Sequence, residues 1–361
     1  MAQTAAIRPF VKSSEARMSN ENKSGTDKAA WLRQVVEEAI DPERPIVDPH
    51  FHFFTGRGTD YLAEDFLGEV DQGHRVVAAI HVEANADFFA HGGATGEMRF
   101  ATKQGSEILR LRRERAERPE PAIYTVGYAD LRRDGLADEL DALDEASGGR
   151  LRGIRNSSAW DPHPTVHNGH TNPPARLLAD ESFRRGLRAL AARGLTFDAY
   201  CFFPQLRELV DLARAAPEAR IVCDHLGGII GVGHYKGRHA EFFDQWRADL
   251  QELARCPNVV LKLGGMAMSA SGFGWHKRER PLTSDEYAAH YAPWFHTAID
   301  AFGPARCMFE SNFPVDGVSL SYGVLWNGFK KIAAGYSPEE KSALFCATAA
   351  TAYRLDVDPL G

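Results

Sequence analysis

The sequence predicts a single parallel (β/α)8 barrel, and four observations predict it. Eight short apolar runs alternate with amphipathic helical stretches over the 361 residues. Several of those runs are continuously apolar, as strands buried on both faces are. No composition break divides the chain into two parts. No Gly-x-Gly-x-x-Gly follows any run, which removes the main support for an open, dinucleotide-binding sheet. Extra helices are expected before the first strand and after the eighth.

In order, a helix is signalled from Asp27, with Trp31, Val35, Val36 and Ile40 at helical spacing. The first strand is Pro45-Ile46-Val47 running into Asp48-Pro49-His50-Phe51-His52. Tyr61 to Val70 reads as a helix, Val76 to Glu83 as the second strand, and Glu107 to Glu117 as a charged helix. The third strand is Ala122 to Tyr128, followed by the helix Leu136 to Glu145. The fourth unit opens on Leu151-Arg152-Gly153-Ile154-Arg155-Asn156; a His-, Pro- and Asn-rich loop, Trp160 to Pro174, separates it from the helix Phe183 to Arg193. Leu195 to Phe202 is the fifth strand, with Leu206, Leu209, Val210 and Leu212 in its helix. Arg220 to His225 is the sixth strand, followed by Leu226-Gly227-Gly228 and a helix carrying Phe242, Trp246, Leu250 and Leu253. Asn258 to Leu263, closed by Gly264-Gly265, is the seventh; Cys307 to Glu310, after the helix Tyr287 to Phe302, is the eighth. Helices from Tyr322 to Ala334 and Pro338 to Tyr353 follow. Residues 1–27 are polar and lack the apolar core of a signal peptide, so a disordered extension is expected there and one domain over 28–361.

With 42 basic against 49 acidic residues the net charge is -7, which disfavours a nucleic-acid or anionic-membrane partner and leaves a small-molecule substrate. No apolar run approaches the roughly 18 residues of a membrane span. The five cysteines are scattered without a Cys-x-x-Cys pair, which fits a reducing cytoplasm.

In a barrel of this kind the active site lies at the C-terminal ends of the strands. The polar residues there are His50 and His52, His81 and Glu83, Arg155, Asp198 and Tyr200, Asp224 and His225, Lys262, and Glu310 with Asn312. On a strand, His50 and His52 share a face, so the two imidazoles can converge on one metal ion or one substrate oxygen. So many ionisable groups in buried strands cost several kcal/mol each unless they pair or bind something, which marks the set as a site. Within it, His81 reads as core, and Asp198 as either an anchor for a neighbour or a site residue. Lys262 is a cation in an apolar strand, to be offset by a substrate carboxylate or by Glu310; Arg155 offers a bidentate grip on a carboxylate. Glu83 and Tyr200 complete the substrate-binding set. His163, His167 and His170, and likewise His234 and Tyr235, read as solvated surface, although the loop from Trp160 could cover the mouth.

The runs Val-Asp-Pro-His-Phe-His-Phe, Leu-Arg-Gly-Ile-Arg-Asn, Cys-Asp-His-Leu-Gly-Gly, Asn-Val-Val-Leu-Lys-Leu-Gly-Gly, Met-Phe-Glu-Ser-Asn-Phe-Pro-Val-Asp and Thr-Ala-Ala-Thr-Ala-Tyr-Arg-Leu resemble the amidohydrolase superfamily, in its amidohydrolase-2 group of TIM-barrel hydrolases, from Pro45 to Leu355. By pattern the likeness is to lactonases, with non-oxidative decarboxylases more distant. The resemblance implies that His50, His52 and His225 form the catalytic histidine set, that Lys262 and Arg155 hold substrate, and that homodimers occur. It also exposes a departure. The strand-eight aspartate of many relatives is here Asn312, in Ser311-Asn312-Phe313-Pro314, and an amide can neither take a proton nor neutralise a metal.

Two arrangements follow from it. In one, a single zinc ion sits on His50, His52 and His225 with water in an open position, and Glu310 or Asp316 takes the proton. In the other, no metal is used and the histidines polarise the carbonyl. The activity implied is hydrolysis of a lactone or similar cyclic ester of a small carboxylated metabolite, with catalytic groups His50, His52, His225, Asn312 and Glu310. The rivals are a non-oxidative decarboxylase, against which Asn312 counts, and a degenerate ligand-binding barrel.

Overall fold

The computed structural model describes residues 25–55, 60–84, 92–117 and 120–358. Eight strands form one parallel sheet in sequence order: β1 Ile46–Phe51, β2 Val76–Val82, β3 Ala122–Gly127, β4 Leu151–Arg155, β5 Thr196–Ala199, β6 Ile221–Cys223, β7 Val259–Leu263 and β8 Cys307–Phe309. The sheet curls until its edges meet. Asn312 N–H donates to the His50 carbonyl at 2.8 Å and His52 N–H to the Phe313 carbonyl at 2.7 Å. Closure therefore happens at the histidine pair, and it satisfies backbone groups that an open edge would leave bare.

The helices α1 Gly25–Leu32, α2 Ala63–Val70, α3 Gly93–Glu114, α4 Leu136–Ala146, α5 Glu181–Ala192, α6 Leu206–Ala215, α7 His239–Ala254, α8 Ser284–Phe302 and α9 Tyr322–Ile332 flank the strands. After β8 and α9, α10 Pro338–Ser342 passes through a π-helical turn, Ala343–Ala347, into α11 Thr348–Tyr353. Caps set several starts. Asp180 accepts from the Ser182 and Phe183 N–H groups at the head of α5, and Thr283 with Glu286 forms a capping box on α8. None of the helices is long and apolar enough to cross a membrane, among the described residues. All five cysteines are free and buried.

Two helices differ from expectation. The first ends at Leu32, and Val36 is 79% exposed. Trp31 and Val35 are buried, but beyond them α9 holds the chain by its backbone. Asn327 accepts from Ile40 N–H, and Lys330 Nζ donates to the Ile40 and Asp41 carbonyls, so those groups serve tertiary contacts rather than a helix. α3 begins at Gly93, well before Glu107, because Ala94, Met98 and Ala101 bury a narrow face among glycines that mask the periodicity. Of the proposed extension, residues 1–24 lie outside the described residues, and α1 begins at Gly25.

Inside the barrel the two-residue period of a strand builds layers. Val222, Met308, Val126 and Ile80 are buried in one cluster with Cys346, Ala349 and Tyr353, so the C-terminal helix plugs the lower end. Two residues further along the same faces, Val222 gives way to Asp224, Met308 to Glu310 and Val260 to Lys262. The apolar layer is roofed by a charged one.

Candidate active site at the mouth of the barrel

The charged layer starts with Lys262, which is fully buried. Its Nζ lies 2.7 Å from Asp198 Oδ2, 3.0 Å from Asp224 Oδ1 and 3.2 Å from His50 Nδ1. Tyr353, from α11, donates its hydroxyl to Asp198 Oδ2, and Thr196 Oγ1 donates to Oδ1 at 3.0 Å. Burial pulls the Lys262 pKa down, but Asp198 and Asp224 outweigh it and hold the ammonium above its ordinary range. Both Asp224 oxygens lack an aligned hydrogen-bond donor; close cations compensate this carboxylate through charge alone.

Above Lys262, His50 Nδ1 lies 2.9 Å from Glu310 Oε2 and its Nε2 3.3 Å from Arg155 Nη1. Glu310 Oε1 accepts from His225 twice, from Nδ1 at 2.7 Å and from the backbone N–H at 3.1 Å. Burial drives His225 down, yet the Glu310 carboxylate prevails and holds it above the ordinary histidine range. Burial likewise opposes ionisation of Glu310, but His225 and then His50 bring it to about 2. His50 goes the other way: burial, then Lys262, lowers it well below the usual range. Glu310 thus favours the charged form of one imidazole, while burial favours the neutral form of its neighbour, 4.5 Å away between ring centroids.

The glycine pairs in the sequence make room for this contact. A Cβ on Gly264 would stand 2.4 Å from Glu310 Cγ, and one on Gly265, at φ +69°, 2.6 Å from the His225 ring. His225 and Asn312 themselves adopt left-handed φ values of 55° and 53°, conformations that bear strain in non-glycine residues and concentrate at functional sites.

His52 belongs to a second group. Its Nδ1 pairs with the Val82 carbonyl at 2.8 Å, so this nitrogen carries the hydrogen and Nε2 the lone pair. Nε2 faces Asn312 Oδ1 at 3.3 Å, while Asn312 Nδ2 donates to Asp316 Oδ1 at 2.8 Å. With Asp316 ionised, the amide NH2 is the group that can donate to it, which orients Asn312. In that orientation Asn312 Oδ1 is an acceptor facing the imidazole, and burial, then Arg155, keeps His52 well below the ordinary histidine range. Burial raises the Asp316 carboxyl to about 7.

Arg155 closes the site on the β2 side. Its Nε donates to Glu83 Oε1 at 2.7 Å and its Nη2 to the Glu83 carbonyl, leaving Nη1 turned towards His50. The guanidinium lies 5.8 Å from the Tyr200 ring centroid, and Tyr200 meets His225 edge-on. Burial raises the Tyr200 hydroxyl to about 12.

Family comparisons cover nearly all of this architecture. The family model described as Amidohydrolase matches residues 47–355. The chain belongs to the amidohydrolase family. It is 33% identical over 334 residues to the uncharacterized protein y4mH of Sinorhizobium fredii, covering 86% of this chain and 98% of that one. It is 30% identical over 326 residues to an L-fucono-1,5-lactonase of Burkholderia multivorans, covering 86% and 96%. A solved amidohydrolase from the same organism, with bound zinc, superposes with a TM-score of 0.61 at 26% identity, over 86% of this chain and 99% of that one.

In this amidohydrolase, a hydrolase by family, the residues named from strand ends do meet around one space: His50, His52, Glu83, Arg155, Tyr200, His225, Lys262, Glu310 and Asn312. Side chains whose ligand atoms lie within 4.8 Å of one another are, among the described residues, His50, His225 and Glu310. They could hold one divalent ion through two imidazoles and a carboxylate. Glu310 Oε2 has no aligned donor, and four carboxylates (Glu83, Asp198, Asp224 and Glu310) share the space with two permanent cations, Arg155 and Lys262, so the charge balance also suits an added cation. His81 is core: its Nδ1 accepts from Phe53 N–H at 3.1 Å. Asp48 is a strut, accepting from Ser311 N–H and the Tyr322 hydroxyl, with its carboxyl raised by burial to about 6. Sequence reasoning missed Tyr353 and His170 as neighbours of this layer. The terminal run Thr-Ala-Tyr-Arg-Leu was a signal for the first; for the second there was none beyond its place in the loop after β4.

Proposed function

We propose that this amidohydrolase opens a lactone or similar cyclic ester by water attack. The observation that carries the reading is His52 Nε2, 3.3 Å from Asn312 Oδ1 and beside a His225 ring that Glu310 holds above the ordinary histidine range. A water beside this pair would give a hydrogen to His52 Nε2 and turn its lone pairs outward. Water oxygen then bonds to the carbonyl carbon, His52 takes the water's proton, and Arg155 Nη1 faces the developing oxyanion. The ring C–O bond breaks, and His225, its protonated form favoured by Glu310, gives its Nε2 proton to the departing alkoxide. The product is the open hydroxy acid. His50 and Lys262 position this machinery. Where zinc is bound, His50, His225 and Glu310 would hold it through unprotonated donor atoms, and it would supply Lewis-acid stabilisation in place of the proton that His225 gives otherwise.

The charge arrangement also narrows the substrate. Lys262 is spent on Asp198 and Asp224, and Arg155 gives two of its donors to Glu83, so neither has a free fork for a substrate carboxylate. This favours a lactone recognised through hydroxyls over the carboxylated metabolite expected from sequence, and the relatives named L-fucono-1,5-lactonase support it. The decarboxylase alternative lacks the strand-eight carboxylate at Asn312.

The test is a lactone panel with a pH indicator and CO2 detection, alongside metal analysis of the purified protein. Acid release without CO2 is expected; CO2 evolution would sink the reading. A cytoplasmic homodimer is proposed on family grounds, and light scattering at a single-chain mass would remove the dimer.

A further inference from the structure

The loop after β4 carries three histidines, and one of them reaches the charged layer. His170 places Nε2 3.0 Å from Glu83 Oε2. Both of its chain neighbours are tied to the root of the same loop: Gly169 N–H donates to the Ala159 carbonyl at 2.7 Å, and Thr171 Oγ1 to the Ser157 carbonyl at 3.2 Å. Gly169 lies so close to that root that a Cβ there would stand 2.3 Å from Ser157 Oγ. The ring position is therefore set by the loop backbone as well as by Glu83. Further out, Asp161 accepts the Tyr235 hydroxyl at 2.8 Å and His163 stacks on His234 at 4.6 Å, so this loop is fastened to the one after β6.

His170 is the outer end of a line that runs through Glu83 and Arg155 to His50. Its side chain is 21% exposed, whereas those of Glu83, Arg155 and His50 are 0%, 5% and 0%. With Nε2 committed to Glu83, Nδ1 has no partner among the described residues. A hydroxyl can either donate to that nitrogen or accept from it.

We propose that His170 is a specificity-determining residue of the lactone site, pairing through Nδ1 with a ring hydroxyl remote from the carbonyl. This rests on the lactone reading above and adds the feature that distinguishes a polyhydroxylated ring from a bare one. A site that hydrogen-bonds a substrate hydroxyl discriminates strongly against the analogue that lacks it.

The experiment compares kcat/KM for L-fucono-1,5-lactone and for δ-valerolactone, a six-membered lactone without hydroxyls, in the wild type and in His170→Ala. The ratio of the two is expected to fall at least about tenfold in the variant, the effect of one lost hydrogen bond, with partial recovery in His170→Gln. A ratio that stays constant, whether both rates fall together or neither does, overturns the proposal, because a purely structural role through Glu83 would not discriminate between the substrates. Calorimetric binding of L-fucose, a non-reacting ring with comparable hydroxyls, supplies a readout without turnover. Affinity about tenfold weaker in His170→Ala supports the proposal; equal affinity, or none in the wild type, overturns it. A wild type that binds L-fucose through His170 and opens neither lactone instead brings down the hydrolytic reading alone.

Discussion

The barrel interior holds two polar groups one above the other, and they are built on opposite rules. The lower one joins Lys262, Asp198, Asp224 and Tyr353 from β7, β5, the end of β6 and α11, all buried, with every charge answered from within the protein. The upper one joins His52, Asn312 and Asp316, where His52 Nε2 lies 3.3 Å from Asn312 Oδ1 and Asn312 Nδ2 donates to Asp316 Oδ1. The lower group is held by paired charges, with both Asp224 oxygens compensated by nearby cations, whereas the upper one is linked through an imidazole and an amide. On the reading proposed above, the lower group does structural work and the upper one chemical work, and what separates them is ion pairing below against hydrogen bonding through an imidazole and an amide above.

The sharpest way to break that contrast is Lys262→Met. It strands Asp198 and Asp224 in an apolar interior, so stability should fall by about 3–5 kcal/mol and turnover should vanish with it. A denaturation midpoint near the wild-type value would place Lys262 in the chemistry instead. His52→Ala should do the reverse, lowering kcat by about 10²- to 10⁴-fold while the urea midpoint hardly moves. Equal loss of both properties would erase the distinction between the two groups.

Asn312→Asp sharpens the comparison by adding charge above. It removes the amide that donates to Asp316 at 2.8 Å and sets a second carboxylate there, near the His50, His225 and Glu310 set. Zinc affinity by competition with a chelating dye should rise about tenfold, with a modest loss of stability above neutral pH. An unchanged affinity would separate Asn312 from any metal function.

The smallest effect expected is on the pH dependence of stability. The Asp316 carboxyl stands at about 7 in the fold against an ordinary value of 3.8, so the native state holds its proton more tightly than the unfolded chain. Its contribution is complete below the unfolded pKa and is lost as pH rises through about 7. Asp316→Asn should flatten the decline in stability between roughly pH 4 and 8, measured by urea melts at each pH. The remaining slope belongs partly to Asp48, raised in the same direction to about 6.

Much of this is legible in the chain. Buried strands announce themselves as apolar runs, and barrels present the C-terminal ends of those runs at one mouth; His50, His225, Lys262 and Glu310 stand out on that ground. What pairs with what is not legible. Glu310 reaches His225 across 85 positions and Tyr353 reaches Asp198 across 155, separations that no local pattern encodes. The end of α1 departs from its periodicity for a similar reason, since the pull on Ile40 comes from Asn327 and Lys330. His170 reads as surface because a loop histidine carries no periodic signal, and its restraint lies in bonds at Gly169 and Thr171.

Tyr353 also sets an order of events in the life of the chain. All eight strands precede it, so on a ribosome the sheet can be complete while the hydroxyl that caps Asp198 is still unmade. A nascent chain halted after β8 would carry the Lys262 layer one donor short and its lower end without the Cys346, Ala349 and Tyr353 plug. The enzyme is therefore finished from its far end, and shortening α11 should tell first at the lower end of the barrel and in the Lys262 layer above it.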